Sequence, residues 1–490
     1  MKEISSSFKA MLEESAPHSL IISGRCSIHR APERLHKCTE RSQYKPETIS
    51  IGPFHHQDQS LKAREILKLS YANSLLIRTA NRKLKKEEEG AKFFHTELDS
   101  SGALVTNKEW FAVLGECISS VTNMETKIRQ CYSEPIAMDS REFVKMMVID
   151  GLFIIELLVK VKVSEQHGIA REHRDPICRN NWLLSGVIQD LILLENQLPM
   201  FVLECLFKIV APADESLKML ALHLFDKILH LLPAGKTLDL EQSKSAAHLL
   251  DLLGMLLQTQ PRNEEKEIPR DPESLQSEAP SSSLSWIRLR RTPDSVDEKE
   301  TKCSYFPSEY IPSASELQRA GVTFKKGSKE VSFMDVKFGM DGIFEMSPIH
   351  IHDDSELIFR NLIACEQSYS TRDNVTSYAV LMDSLIDSAE DVKILRKQGI
   401  IIVHNLGCDE DVAKIFNKLR FHTGAADNYS KLNKEVMKYY RQSWHRWQAS
   451  LKREYFGNPW TIVSLLAAVL LILLTIVSTV SGILQVVYNE

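Results

Sequence analysis

Twenty-five consecutive residues without a charge, Trp460 to Leu484, constrain this 490-residue chain more than any other feature. At 1.5 Å per residue a helix over that stretch is about 37 Å long, against roughly 30 Å of bilayer hydrocarbon. Tilt absorbs the excess. Asn458 and Pro459 stand where a helix cap and a first-turn proline belong. Trp460 and Tyr488 bracket the run with rings that favour the membrane interface. A core helix of this length would carry charges on its outer face, so the stretch predicts a transmembrane helix at 459–484. Residues 485–490 form a short tail, which predicts a tail-anchored chain inserted after translation.

The segment before this run, 429–458, is basic. Lys431, Lys434, Lys438, Arg441, Arg446, Lys452 and Arg453 face only Glu435 and Glu454, and the positive-inside rule then keeps the preceding chain in the cytosol. Leu432, Val436, Tyr440, Trp444, Trp447, Leu451 and Tyr455 recur at three- and four-residue steps, the period of one helix face. Two placements fit this amphipathic helix: on anionic lipid, or packed on its own domain with the basic face in water. Within the apolar run, Ser478 and Gly482 form a small-xxx-small pair that allows a homodimer.

The rest of the chain is mainly α with a small β element, an α+β class. Helical periodicity runs from Leu61 to about Gln130, with a break near Asp99–Gly102. Asp139-Ser140-Arg141-Glu142 reads as a capping box. The helix behind it carries Phe143, Met146, Met147, Leu152, Phe153, Ile154, Leu157 and Leu158. Lys145, Asp150, Glu156 and Lys160 interrupt it, so it is a core helix and not a second span. Further helices are predicted at Trp182–Glu195, Met200–Ile209, Glu215–Leu232 and Leu240–Leu257. After a Pro-, Ser- and Glu-rich stretch, alternation at Val331/Phe333 and Ile349/Ile351 predicts strands within 322–352, with Gly339 and Gly342 in a turn. Helices return at Glu356–Gln367, Ser377–Ile386, Asp391–Gln398 and Asp409–Phe421.

Composition excludes some functions. A net charge of −5 gives no basic excess for nucleic acid. Nine scattered cysteines without a CxxC pair suit reduced thiols in a cytosolic setting. No phosphate-cradling glycine loop, nucleophile elbow or HExxH is present, so no catalytic residue and no cofactor is assigned. His350-x-His352 with Asp353 and Asp354 is a set capable of chelation, but an exposed strand edge accounts for it equally, and no metal site is assigned. His55-His56 is a loop pair, and Glu195-Asn196-Gln197 between apolar helices reads as a buried polar network. Arg288–Pro293 reads as a solvated charge cluster that also fits a phosphorylation site. The sequons at Asn374 and Asn428 are short enough to arise by chance.

Several blocks together resemble one family. They are Cys26-Ser27-Ile28, Tyr44-Lys45-Pro46, Ile49–His56, Glu142–Phe153, Leu193–Leu203, Ala314–Phe324, Arg360–Gln367, Tyr378, Asp391-Val392 and Asn458-Pro459-Trp460. In this order they are similar to the plant family catalogued as domain of unknown function 247, with Ala31 where that family usually has Val. The resemblance divides the chain into a tail at 1–25, a helical part at 26–257, a linker or insertion at 258–303 and a second part at 304–428. It implies a membrane protein with one C-terminal span and no established catalytic residues. Some grass members are implicated in pollen self-incompatibility, which suggests recognition or signalling. Three functions follow as expectations. The first is a membrane-tethered protein-interaction module, not an enzyme, with protein partners of unknown identity. The second is an enzyme with an unrecognised site near Glu195 or Glu366. The third is a recognition protein facing outside the cell.

Overall fold

The computed structural model of the protein describes residues 26–36, 43–85, 107–167, 175–212, 215–229, 246–258, 310–328, 332–369, 373–404, 406–419, 428–442 and 459–488. The N-terminal tail, the linker with Arg288–Pro293, and Trp444 to Tyr455 lie outside the described residues.

The helical part is built around α3 (Ser140–His167), whose first turn Asp139 caps by accepting from the Arg141 and Glu142 amides at 2.8 and 3.0 Å. Phe143, Met147, Phe153, Ile155, Leu157 and Val161 are all buried, on every side of the helix. A helix apolar all round must be enclosed. The enclosing elements are α1 (Glu65–Lys85), α2 (Asn107–Arg129), α5 (Met200–Val210) and α6 (Leu217–Leu229). The helix predicted at Trp182–Glu195 ends earlier: α4 is Asn181–Leu191, with Asn180 accepting from Trp182 N and Leu183 N. It stops because the Asn196 and Gln197 side chains take its last carbonyls. Likewise α7 is Leu249–Gln258 and does not begin at 240. Ala246–His248 are non-helical, and Asp251 accepts from the Ala247 amide at 2.8 Å.

The second part starts with α8 (Ala314–Arg319) and β1 (Thr323–Lys326). Strands β2 (Val336–Phe338) and β3 (Ile343–Met346) form a hairpin through Gly342, at φ +78°. A Cβ at Gly342 would strike the Tyr439 ring. Of the strand expected at Val331/Phe333, Val331 lies outside the described residues and Phe333 sits in a turn, beside Ser332, whose hydroxyl donates to Leu257 O at 2.6 Å. The sheet order is β1-β3-β2, with β1 parallel to β3. β4 (Ile349–Ile351) pairs in parallel with β5 (Ile401–Val403), a strand the sequence does not announce. Between them lie α9 (Ser355–Tyr369), α10 (Asn374–Leu385) and α11 (Ala389–Lys397), the crossover a parallel pair requires. α12 (Asp409–Leu419) closes this part. One apolar core runs from Ile28 to Val436.

α13 (Ser430–Tyr440) decides between the two placements of the amphipathic segment for these residues. Its apolar face packs on the domain: Val436 is fully buried, Tyr439 meets Phe338 edge-on at 5.6 Å, and Tyr429 just before it donates to Met334 O. α14 (Pro459–Tyr488) is one continuous helix of 30 residues. Its side chains are described for 463, 464 and 466–481, and all of these are exposed. Among the described residues no helix is long and apolar enough to cross a membrane. The span expected at Trp460–Leu484 is thus met as a helix, and its insertion is a separate question.

α1 is pinned to α3 by a buried ion pair. Lys68 sends its three protons to Asp150 at 2.6 Å, Glu65 at 2.6 Å and Ser50 O at 2.8 Å, and both Lys68 and Asp150 are sealed from water. Burial works against the ammonium, but the Asp150 charge and the bonds to Asp150 and Glu65 hold Lys68 above the usual lysine range. Lys68→Met alone leaves a buried carboxylate uncompensated and is expected to cost about 3–5 kcal/mol. Asp150→Leu together with Lys68→Met is expected to cost less than the two single changes added together. Urea unfolding of the four proteins checks the difference.

Candidate functional site

The segment Gln43–His56 is a run of bends outside any strand ladder, so its backbone must be satisfied by side chains. Asp190 on α4 accepts from the amides of Glu47, Thr48 and Ile49 at 3.1, 2.6 and 2.6 Å. Asn196 accepts from Ile51 N at 2.7 Å and donates to Ile49 O and Asp190 O. Asp150 accepts from Gly52 N at 2.9 Å. Gly52 has φ +71°, and a Cβ there would lie 2.8 Å from Gln197 O, so only glycine fits. Gln197 closes the network: it donates to Leu191 O and Leu193 O and accepts from Leu250 N. Asn361 on α9 ties in the second part, accepting from Leu194 N and donating to Gln43 O.

This network answers the question posed by Glu195. Its carboxylate accepts from Ala31 N at 2.9 Å, meets His55 Nε2 at 2.8 Å and lies 3.5 Å from the Arg30 guanidinium. Glu366 is engaged in the same way at the start of α10, by Val375 N, Thr376 N and the Thr376 hydroxyl. Both carboxylates hold structure together. Of His350, His352, Asp353 and Asp354, Asp354 accepts from Gln189 at 2.6 Å, while His350 and His352 meet a third imidazole, His404. Sequence reasoning missed Asp190, Lys68 and His404. Asp190 had a signal, a charge among the buried Val187, Ile188 and Leu191, whereas Lys68 sits between the exposed Ile66 and Leu69 and had none. His404 had none, since its partners are more than fifty residues away.

The feature able to receive another molecule lies on the outside of the pinned helices. α1, α2 and α3 wall an open groove of about 850 Å³ whose surface is mostly apolar, with Ser70, Asn73, Thr122, Ser140, Arg141 and Lys145 among its lining. Leu69 and Ile66 from α1, Ile118 and Leu114 from α2, and Val144 and Val148 from α3 form its surface. Ile66 is 71% exposed and Leu69 49%, so apolar area faces solvent here. Trp110 on α2 reaches across to Asn73 on α1, donating at 3.2 Å. Arg141 and Lys145 are the cations of the lining, both near the start of α3 and exposed. The Lys68–Asp150 pair and the Arg78–Glu156 pair sit behind the groove and set the separation of α1 from α3.

The described residues thus form an α+β domain with a buried polar network and an open apolar groove. Residues 28–474 match the family described as plant protein of unknown function, DUF247, and the chain belongs to it. It is 28% identical over 477 residues to a UPF0481 protein of Arabidopsis thaliana, covering 94% of this chain and 87% of that one. A second UPF0481 protein of the same plant is 24% identical over 534 residues, covering 96% of this chain and 92% of that one. No solved structure matches.

Burial raises Asp190 to about 7, against which the bonds from Ile49, Glu47 and Thr48 act to keep it ionised. An aspartate in the unfolded chain titrates near 4. Folding therefore takes up a proton between these values. The stability linked to Asp190 is fully present below about pH 4 and is lost as pH rises through about 7. Melting temperatures measured from pH 5 to 8.5 are expected to show this fall in the native chain relative to Asp190→Asn. A difference between the two proteins that is constant across that range would contradict it.

Proposed function

We propose that this protein is a membrane-attached recognition module, not an enzyme. In this reading α14 enters a bilayer, and the α1–α3 groove receives an amphipathic helix of a partner protein. The observation that carries the recognition half is the groove itself. Three helices wall an open apolar channel, and an amphipathic helix docks in such a channel through side chains at i, i+3, i+4 and i+7. Arg141 and Lys145 call for an acidic residue at one end of that helix.

The attachment half is supported by the sequence of α14, uncharged over its 30 residues, about 45 Å of helix. Lys431, Lys434 and Lys438 on α13 are exposed while its apolar face is taken by the domain, which leaves the cations for anionic headgroups. That charge favours a cytosolic domain. The opposite reading, a domain outside the cell, meets an obstacle in the sequons. Asn374 and Asn428 bond to each other at 2.7 Å, and Thr376 is buried with its hydroxyl on Glu366. The saturated carboxylates of Glu195 and Glu366 support the non-enzymatic reading.

A photoreactive residue placed at Leu69 in the groove, with Lys325 on β1 as the control position, tests the recognition half. Expected is a protein product from Leu69 alone, with the captured polypeptide bearing an amphipathic helix whose synthetic peptide competes. Burying a leucine is worth about 1.5–3 kcal/mol, so Leu69→Asp should weaken that peptide at least about tenfold with melting unchanged. Identical products from both positions, or a peptide indifferent to Leu69→Asp, would overturn it.

A further inference from the structure

We propose that His350, His352 and His404 form a binding site for one late first-row divalent metal ion, such as zinc. The register of β4 and β5 assembles them. Ile349 pairs with Ile401, His350 with Ile402 and Ile351 with Val403, and His404 N donates to Ile351 O at 2.9 Å. Strand alternation sends Ile349 and Ile351 into the core, fully buried, and His350 and His352 to the other face. One step beyond the paired residues, His404 stands beside His352 on that same face. All three imidazoles are half-buried.

Their nitrogens converge. His350 Nδ1 lies 2.9 Å from His404 Nε2, and one ligand atom from each ring falls within 4.8 Å of the other two. At metal–nitrogen distances of 2.0–2.1 Å, neighbouring ligand nitrogens stand about 2.9 Å apart at a right angle and about 3.4 Å apart in a tetrahedron. The His350–His404 spacing is already in that range. The rings themselves are close to parallel, at 7° for His350–His404 and 4° for His352–His404, with the latter pair 4.4 Å between centroids. Closing on a metal therefore needs the His352 ring to swing out of the stack and the His350 and His404 rings, whose facing nitrogens point at each other, to turn until both lone pairs meet at one ion. A tautomer shift moves the shared His350–His404 proton to the far nitrogen of its ring and presents both facing nitrogens as ligands.

Imidazole is a borderline donor that selects zinc, copper or nickel over calcium and magnesium. Three protein ligands leave a coordination position for water or for a group from a bound partner. The metal would staple two strands whose ligands are more than fifty residues apart in sequence, holding the crossover formed by α9, α10 and α11.

The test uses the full chain in detergent, stripped with chelator and titrated with zinc alone. Expected are one zinc per chain by metal analysis and calorimetry, and a higher melting temperature with zinc than with chelator. His352→Gln and His404→Gln should each weaken binding at least about tenfold, since even outer-shell changes at metal sites cost about 10–100-fold. A second measurement needs no variant: zinc should slow carbethoxylation of His352 and His404 in the native chain, read by peptide mapping. No stoichiometric zinc, binding unchanged by both variants, or equal carbethoxylation rates with and without zinc would overturn the site.

Discussion

The burial of Asp150, Asp190 and Glu195 among apolar helices is the constraint on which the rest of the structure depends. A buried carboxylate without partners costs several kcal/mol, so each needs donors supplied from somewhere. Here they come from Ala31 and from the Gln43–His56 segment, whose own amides lack a ladder. The amides of Ala31, Glu47, Thr48, Ile49 and Gly52 all end on these three side chains. Neither the helices nor the segment could be buried alone. Together they fix where α3, α4 and the turn at Glu195–Gln197 stand.

The remaining geometry follows from that fixed point. Lys68 completes the shell of Asp150 and so holds α1 against α3, and the outer face of the pair becomes one side of the groove. Asn361 extends the same network into the second part, where its amide meets Gln43 O. From there the core continues through α9 to α13, the last described helix before α14. The groove and the α13 helix, its apolar face packed on the domain and its lysines exposed, therefore belong to one connected core.

Much of this was legible in the sequence, for physical reasons. The apolar run of α3, broken by Asp150 and Glu156, could only be a core helix with its charges paired. Asp139 as a cap and the Gly339–Gly342 turn followed from backbone chemistry that few residues can satisfy. The family assignment rested on long blocks in order, and four of them, Ile49–His56, Glu142–Phe153, Leu193–Leu203 and Arg360–Gln367, meet in the polar network. The errors share a cause. Periodicity extended α4 through Glu195 and α7 back to Leu240, because it does not register a side-chain amide that takes the last carbonyls or an aspartate that caps. β5 has three residues and gains its identity only by pairing with β4. The groove was not visible at all, since Leu69 and Ile118 read as ordinary members of amphipathic helices.

In the proposed arrangement α14 holds a cytosol-facing domain to a membrane. Protease protection in sealed vesicles tests it most directly. The account predicts that added protease removes the domain and leaves only a fragment of about the length of α14, with the chain retained through an alkaline wash. A domain protected intact until detergent is added, or a chain released by the wash, would contradict it.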